Sequence, residues 1–131
     1  MQIHQSAEDY LETILMLNQR MGRVSSIDVV NELGYTKASV SIAMKKLREN
    51  GYIAVDGEGN LTLLEPGREI AERIYSRHRL LTHFFVQLGV EEDIAAEDAC
   101  KAEHILSEQT LEKIREYALL HDAEGSVQKS E

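Results

Sequence analysis

The chain has 131 residues, 43% of them hydrophobic, and a formal net charge of −9. The hydrophobic share supports a buried core and excludes wholesale disorder, and the length fits one domain or two small lobes. No apolar run approaches the roughly 20 residues of a membrane span. The opening Met1-Gln2-Ile3-His4-Gln5 lacks the basic and apolar regions of a signal peptide, and a single cysteine, Cys100, excludes an internal disulfide framework. These features predict a cytoplasmic protein with no membrane partner. The acidic balance excludes a chain coated in positive charge for nucleic acid, although not a local basic face. It is also what a cluster of metal-binding carboxylates produces.

In chain order, the first helical segment runs from about Ala7 to Met21, with Leu11, Ile14, Leu15 and Asn18 at i, i+3, i+4, i+7 spacing. Ser6 is placed to cap it, with Asp9 three residues on as in a capping box. The second covers about Ser26–Leu33, capped by Ser25 or Ser26 and stopped by Gly34. The third starts after Thr36 and reaches Glu49 or Asn50, with apolar residues Val40, Ile42, Ala43, Met44 and Leu47. Two short runs, Tyr52–Val55 and Leu61–Leu64, flank Asp56-Gly57-Glu58-Gly59-Asn60 and read as a β-hairpin. Pro66-Gly67 opens a long helix to about Gly89, carrying Ile70, Ile74, His78, Leu81, Phe85 and Leu88. Further helices are expected over about Glu92–Leu106 and, capped by Ser107, about Glu108–Leu120. The stretch 122–131, with Val127 its one large apolar residue, is expected to fray.

The fold class that follows is mainly α with a small β-hairpin. An N-terminal winged helix-turn-helix (1–66) precedes a C-terminal helical lobe (67–121) that could pair with a copy of itself, and a tail (122–131).

Two short helices around Gly34-Tyr35 meet the helix-turn-helix requirement. The second helix of such a pair enters the major groove by its N-terminal residues. Here these are Thr36, Lys37, Ala38, Ser39 and Ser41, small or polar, with Lys45 and Lys46 further along and Ser26 at the start of the preceding helix. Between Thr36 and Glu49 four basic residues stand against one acidic residue, a basic strip in an acidic chain. Asp56 and Glu58 would be poor phosphate partners in a wing. The alternative is an ordinary helical hairpin with lysines on a solvated face.

Cys100, Glu103 and His104 are spaced i, i+3, i+4, which on one helix places them on one face. Thiolate, carboxylate and imidazole together make a transition-metal donor set. Asp9 and Glu12 share a face of the first helix, and His78 falls within the apolar stripe of the long one. Each also has a structural explanation: Cys100 as a small core residue, Glu103 as a surface residue, His104 as a residue at the interface edge, Asp9 as a capping partner, Glu12 as a solvated side chain, His78 as a satisfied core histidine. Spacing alone does not show convergence.

Four blocks carry a family resemblance: Ser6-Ala7-Glu8-Asp9-Tyr10-Leu11-Glu12, Ser39-Val40-Ser41, Arg77-His78-Arg79-Leu80-Leu81, and Ala99 to Ser107. In these the chain resembles the diphtheria toxin repressor and manganese transport regulator family over about Ser6 to Ile114. The resemblance implies a homodimeric, metal-activated transcriptional repressor that binds a palindromic double-stranded DNA operator and senses Mn(II) or Fe(II). The length is similar to that of the short, manganese-regulator type, with no room for the SH3-like domain of longer members. Asp9 and Glu12 match manganese-type ligands, and His78, Glu103 and His104 match ligands common to much of the family. Cys100 resembles the iron type, whereas the manganese type has glutamate there. Iron-type members in turn have methionine where this chain has Asp9, so the implied site is a hybrid. Thr82 and Ala96 replace residues that serve ancillary sites in other members.

The resemblance thus implies one strong site from Asp9, Cys100, Glu103 and His104 and a weaker one from Glu12, His78 and Glu103. Carboxylates suit Mn(II), and a thiolate shifts preference toward Fe(II), Co(II) or Zn(II). Such sites draw on both lobes, and a cation would relieve carboxylate repulsion and tie the lobes together. The rivals are a winged-helix regulator with another effector, a metalloenzyme using Glu103 or His104, and a dimerisation adaptor.

Overall fold

The computed structural model describes residues 5–129, with side chains from 6 to 122. The chain divides into two compact units, residues 1–74 and 75–131. Its elements are α1 (Gln5–Met21), α2 (Ser26–Leu33), α3 (Lys37–Glu49), β1 (Ile53–Val55), β2 (Leu61–Leu63), α4 (Glu65–Leu88), α5 (Glu92–Ala102) and α6 (Glu108–Lys129). This is the expected mainly α architecture with a small antiparallel hairpin.

In the first unit, Leu11, Ile14, Leu15 and Leu17 of α1 are buried, and so are Glu12 and Thr13. A helix enclosed almost all round over these turns is a central helix rather than a surface one. Val29 of α2, Val40, Met44 and Leu47 of α3, and Ile53, Leu61 and Leu63 of the hairpin complete this core. Ser6 lies inside α1, which is described from Gln5 onward.

β1 and β2 pair with Ile53 opposite Leu63 and Val55 opposite Leu61. Leu61 and Leu63 point inward and Thr62 outward, the two-residue alternation of a sheet with one face on a core. The Leu61 N–H donates to the Val24 carbonyl at 2.7 Å, fastening the hairpin to the segment before α2. Inside the hairpin loop, Asp56 Oδ1 accepts from the backbone N–H groups of Glu58 and Asn60, each at 2.9 Å. Its Oδ2 accepts from Asn60 Nδ2 at 3.0 Å. Asp56 is therefore an internal brace of the loop.

At the start of α4, Gly67 is pressed against the Tyr52 carbonyl, which also accepts from the Leu64 N–H at 3.0 Å. A Cβ at position 67 would fall within the contact shell of that oxygen and 3.0 Å from its carbon. Glycine is required here by close approach of two backbones.

The second unit packs Leu81 of α4, Ala99 of α5 and Leu111 of α6, with Leu80, Phe85, Ala102, Leu106 and Ile114 around them. α5 stops at Ala102, short of the expected Leu106. Ser107 caps α6, its Oγ accepting from the Thr110 N–H at 3.2 Å, so α6 starts as a separate helix. α6 continues past Leu120, where the apolar spacing ends, to Lys129. Propagating a nucleated helix needs no further core contact, and Asp122 is held by Gln87 Nε2 at 2.9 Å and His83 Nε2 at 2.5 Å. The expectation of fraying over 122–131 falls largely on side chains outside the described residues.

Two outcomes test these assignments. Gly67→Ala is expected to destabilise the first unit by roughly 1–3 kcal/mol, as overpacking against fixed backbone does. Gly57→Ala, at an open loop position without positive φ, should change little. Urea unfolding of both variants measures the difference. The Asn60 backbone N–H, its side-chain amide and the Glu58 N–H hold the Asp56 carboxyl below its ordinary 3.8. Because the folded value is depressed, the brace is intact above 3.8 and is lost only as pH falls through the lower folded value. An NMR titration should show the Glu58 and Asn60 amides moving together below 3.8, and shifts centred above it would contradict the brace.

Candidate nucleic-acid face and metal centre

In the first unit the turn between α2 and α3 is built from caps. The Ser25 N–H and hydroxyl both donate to the Asp28 carboxylate, at 2.9 and 3.0 Å, and start α2. Gly34, at φ 72°, ends it, its N–H donating to the Val30 carbonyl at 2.8 Å. Thr36 then caps α3: its Oγ1 accepts from the Ser39 N–H at 3.1 Å and donates to Ser39 Oγ at 2.9 Å. An edge-on contact between Tyr10 and Tyr35, centroids 5.9 Å apart, anchors the turn to α1.

α3 buries Val40, Met44 and Leu47 along one stripe. Its opposite side leaves Lys37, Ala38, Ser39, Ser41, Lys45 and Lys46 exposed, with Thr36 exposed ahead of them and Ser26 half-buried on α2. Ile42, grouped by sequence with the apolar positions, is 59% exposed. Its place off the Val40–Met44–Leu47 spacing was the available signal.

The candidate metal ligands are distributed over both units. In the first, Asp9 and Glu12 lie one turn apart on α1, Asp9 half-buried and Glu12 buried. In the second, His78 is on α4, and Cys100 is exposed on α5. Glu103 is the residue that closes α5, with its N–H on the Ala99 carbonyl at 3.0 Å. His104 follows in the turn between α5 and α6. Glu103 keeps right-handed helical geometry as the C-cap, so the turn from Cys100 to Glu103 continues the helix, and His104 lies just past its end.

Glu103 is completely buried. Its Oε2 faces His78 Nδ1 at 3.4 Å, and its Oε1 faces His104 Nε2 at 3.4 Å. Neither carboxylate oxygen has a hydrogen-bond donor among the described residues, and His78 Nδ1 is buried without a hydrogen-bond partner. A buried carboxylate lacking donors is costly. Atoms bound to one ion at roughly 2.0–2.2 Å lie about 3–3.5 Å from one another. The donor set and its spacing thus fit a divalent transition ion on either side of Glu103.

The surroundings hold this arrangement in place. Arg77 Nη1 donates to the Glu103 backbone carbonyl at 3.5 Å, and its Nη2 is ion-paired with Glu108 at the start of α6. Thr82 Oγ1 donates to the His78 carbonyl at 2.8 Å, so the residue in an ancillary-ligand position here braces the turn bearing His78. Arg77 was not among the site residues expected from sequence. Its signal was adjacency to His78 in the Arg77-His78-Arg79 block.

Residues 2–61 match the iron dependent repressor N-terminal DNA binding domain, and residues 64–120 match the iron dependent repressor metal binding and dimerisation domain. An uncharacterised HTH-type transcriptional regulator of Methanocaldococcus jannaschii is 35% identical over 113 residues, covering 85% of this chain and 90% of that one. The transcriptional regulator MntR of Escherichia coli is 31% identical over 116 residues, covering 88% and 75% respectively. Among solved structures, a manganese-dependent transcriptional repressor in complex with manganese is similar with a TM-score of 0.78 at 30% identity. It is matched over 86% of this chain and 52% of its own length, so the chain spans about half of that solved protein. On the strength of these relatives and of both matched domains, the chain belongs to the iron-dependent repressor family, alongside the MntR-type transcriptional regulators.

Proposed function

We propose that this protein is a metal-dependent DNA-binding transcriptional repressor that senses Mn(II) or Fe(II) and controls metal-homeostasis genes. The observation that carries the reading is the buried Glu103 carboxylate with an imidazole nitrogen 3.4 Å from each oxygen. Asp9, Cys100, Glu103 and His104 form one ligand set in this proposal, and Glu12, His78 and Glu103 the other. A bound divalent cation supplies the positive charge that the Glu103 carboxylate lacks. The chain's own groups set the selectivity: carboxylates and imidazoles serve Mn(II), and the Cys100 thiolate draws the set toward Fe(II).

Residues 1–66 act as the DNA-binding part, through Ser26, Thr36, Lys37, Ala38, Ser39, Ser41, Lys45 and Lys46. Residues 67–121 form the metal-binding part and pair two copies on a palindromic operator. The protein acts in the cytoplasm as a regulator rather than an enzyme. No helix among the described residues is long and apolar enough to cross a membrane. Metal activates only to the extent that the DNA-competent state holds it more tightly than the alternative.

Two measurements bear on this. Thermal melts of wild type should rise with Mn(II), by about 2.7 kcal/mol of stability at a hundredfold excess over Kd. Glu103→Gln should abolish that shift, yet be as stable as or more stable than wild type in chelator, because it removes a buried charge. A Glu103→Gln variant that still responds to Mn(II) would exclude Glu103 as a ligand.

Fluorescence anisotropy on duplex from the chain's own upstream region tests the regulator reading. Binding is expected with Mn(II) or anaerobic Fe(II) and not with chelator. Its logarithm should fall linearly with log salt. Lys37→Ala, Lys45→Ala and Lys46→Ala should each flatten that slope by about 0.9, the share of one neutralised phosphate. Equal binding in chelator would leave a winged-helix protein with a different effector.

A further inference from the structure

The exposed side of α3 has an unusual composition for a base-reading helix. From Thr36 to Leu47 it contains no Arg, Asn or Gln, so lysine is its one side chain able to read a purine through two hydrogen bonds. Two of its hydroxyl groups are engaged with each other, Thr36 Oγ1 donating to Ser39 Oγ at 2.9 Å while it accepts from the Ser39 N–H. In the middle of this side stands Ile42, 59% exposed. It is one helical turn beyond exposed Ala38 and one turn ahead of exposed Lys45 and Lys46.

A large β-branched side chain held in water within a lysine-rich strip gains nothing for the fold. Val40, Met44 and Leu47 already fill the buried stripe of α3. In the major groove the one apolar group that distinguishes base pairs is the thymine 5-methyl. The flanking lysines suit a polyanion and not an apolar partner, so the strip is complementary in charge to duplex DNA.

We infer that Ile42 is a specificity-determining residue that reads a thymine 5-methyl group in the major groove. Small Ala38 one turn before it lets α3 approach the base edges, and the lysines hold the phosphates on either side. This inference rests on the DNA-binding reading above. It assigns to Ile42 an interaction that depends on one methyl group of the DNA, which a hydrogen-bonding or purely electrostatic helix would not register.

The test uses the full chain loaded with Mn(II). Duplexes are first selected from a random pool, and each thymine of the preferred site is then replaced singly by deoxyuridine, which deletes the methyl and keeps base pairing. Wild type should lose about fourfold in affinity at the thymine that Ile42 meets, the value of one buried methyl-sized group. Ile42→Ala should bind the thymine and uracil duplexes alike, and Ile42→Val should retain the discrimination. Because position 42 is exposed, all three proteins should melt alike. Wild type that binds tightly and metal-dependently, yet equally to every uracil duplex, overturns the inference while leaving the regulator reading intact. Discrimination that survives in Ile42→Ala also overturns it, by placing the methyl interaction elsewhere. Absence of any metal-dependent DNA binding defeats the regulator reading and this one with it.

Discussion

A fully buried carboxylate with no hydrogen-bond donor among the described residues is the constraint around which the second unit is arranged. Glu103 has no solvent exposure, and each of its oxygens looks at an imidazole nitrogen at 3.4 Å. Folding alone gives no reason to keep it, since an uncompensated buried charge opposes stability. The surroundings nevertheless fix it closely. Arg77 holds the Glu103 carbonyl, and Leu81, Ala99 and Leu111 pack the unit's core. A group that is unfavourable when uncompensated and favourable beside a cation converts metal concentration into conformational free energy, the property a sensor needs.

Charge is handled differently in the first unit. The whole chain carries −9, yet the exposed strip of α3 is basic. Several acidic residues of this unit are engaged in structure. Asp28 takes up the Ser25 donors at the start of α2, Asp56 braces the hairpin loop, and Glu32 is paired with Arg20 at 2.9 Å. Phosphate attraction is a matter of local potential rather than net charge, so an acidic protein can keep a usable nucleic-acid face.

Much of the architecture was legible along the chain, because its signals are local. Gly34 marked the end of α2, Ser107 the start of α6, and the alternation around Asp56–Asn60 the hairpin. The end of α5 was misread. The apolar pattern carried the expected helix through to Leu106, whereas α5 ends at Ala102. Ile42 already lay off the helical spacing of Val40, Met44 and Leu47, and the structure leaves it exposed.

By itself the sequence determined the order of elements, the basic strip within an acidic chain, and the residue types able to bind a transition ion. These follow from periodicity, capping chemistry and donor identity, which are properties of neighbours along the chain. Only the tertiary structure decided that Glu103 is buried without a donor, that His78 and His104 face its two oxygens, and that Gly67 must yield to the Tyr52 carbonyl. Those facts depend on which segments distant in sequence come within a few ångströms, and residue spacing carries no record of that distance.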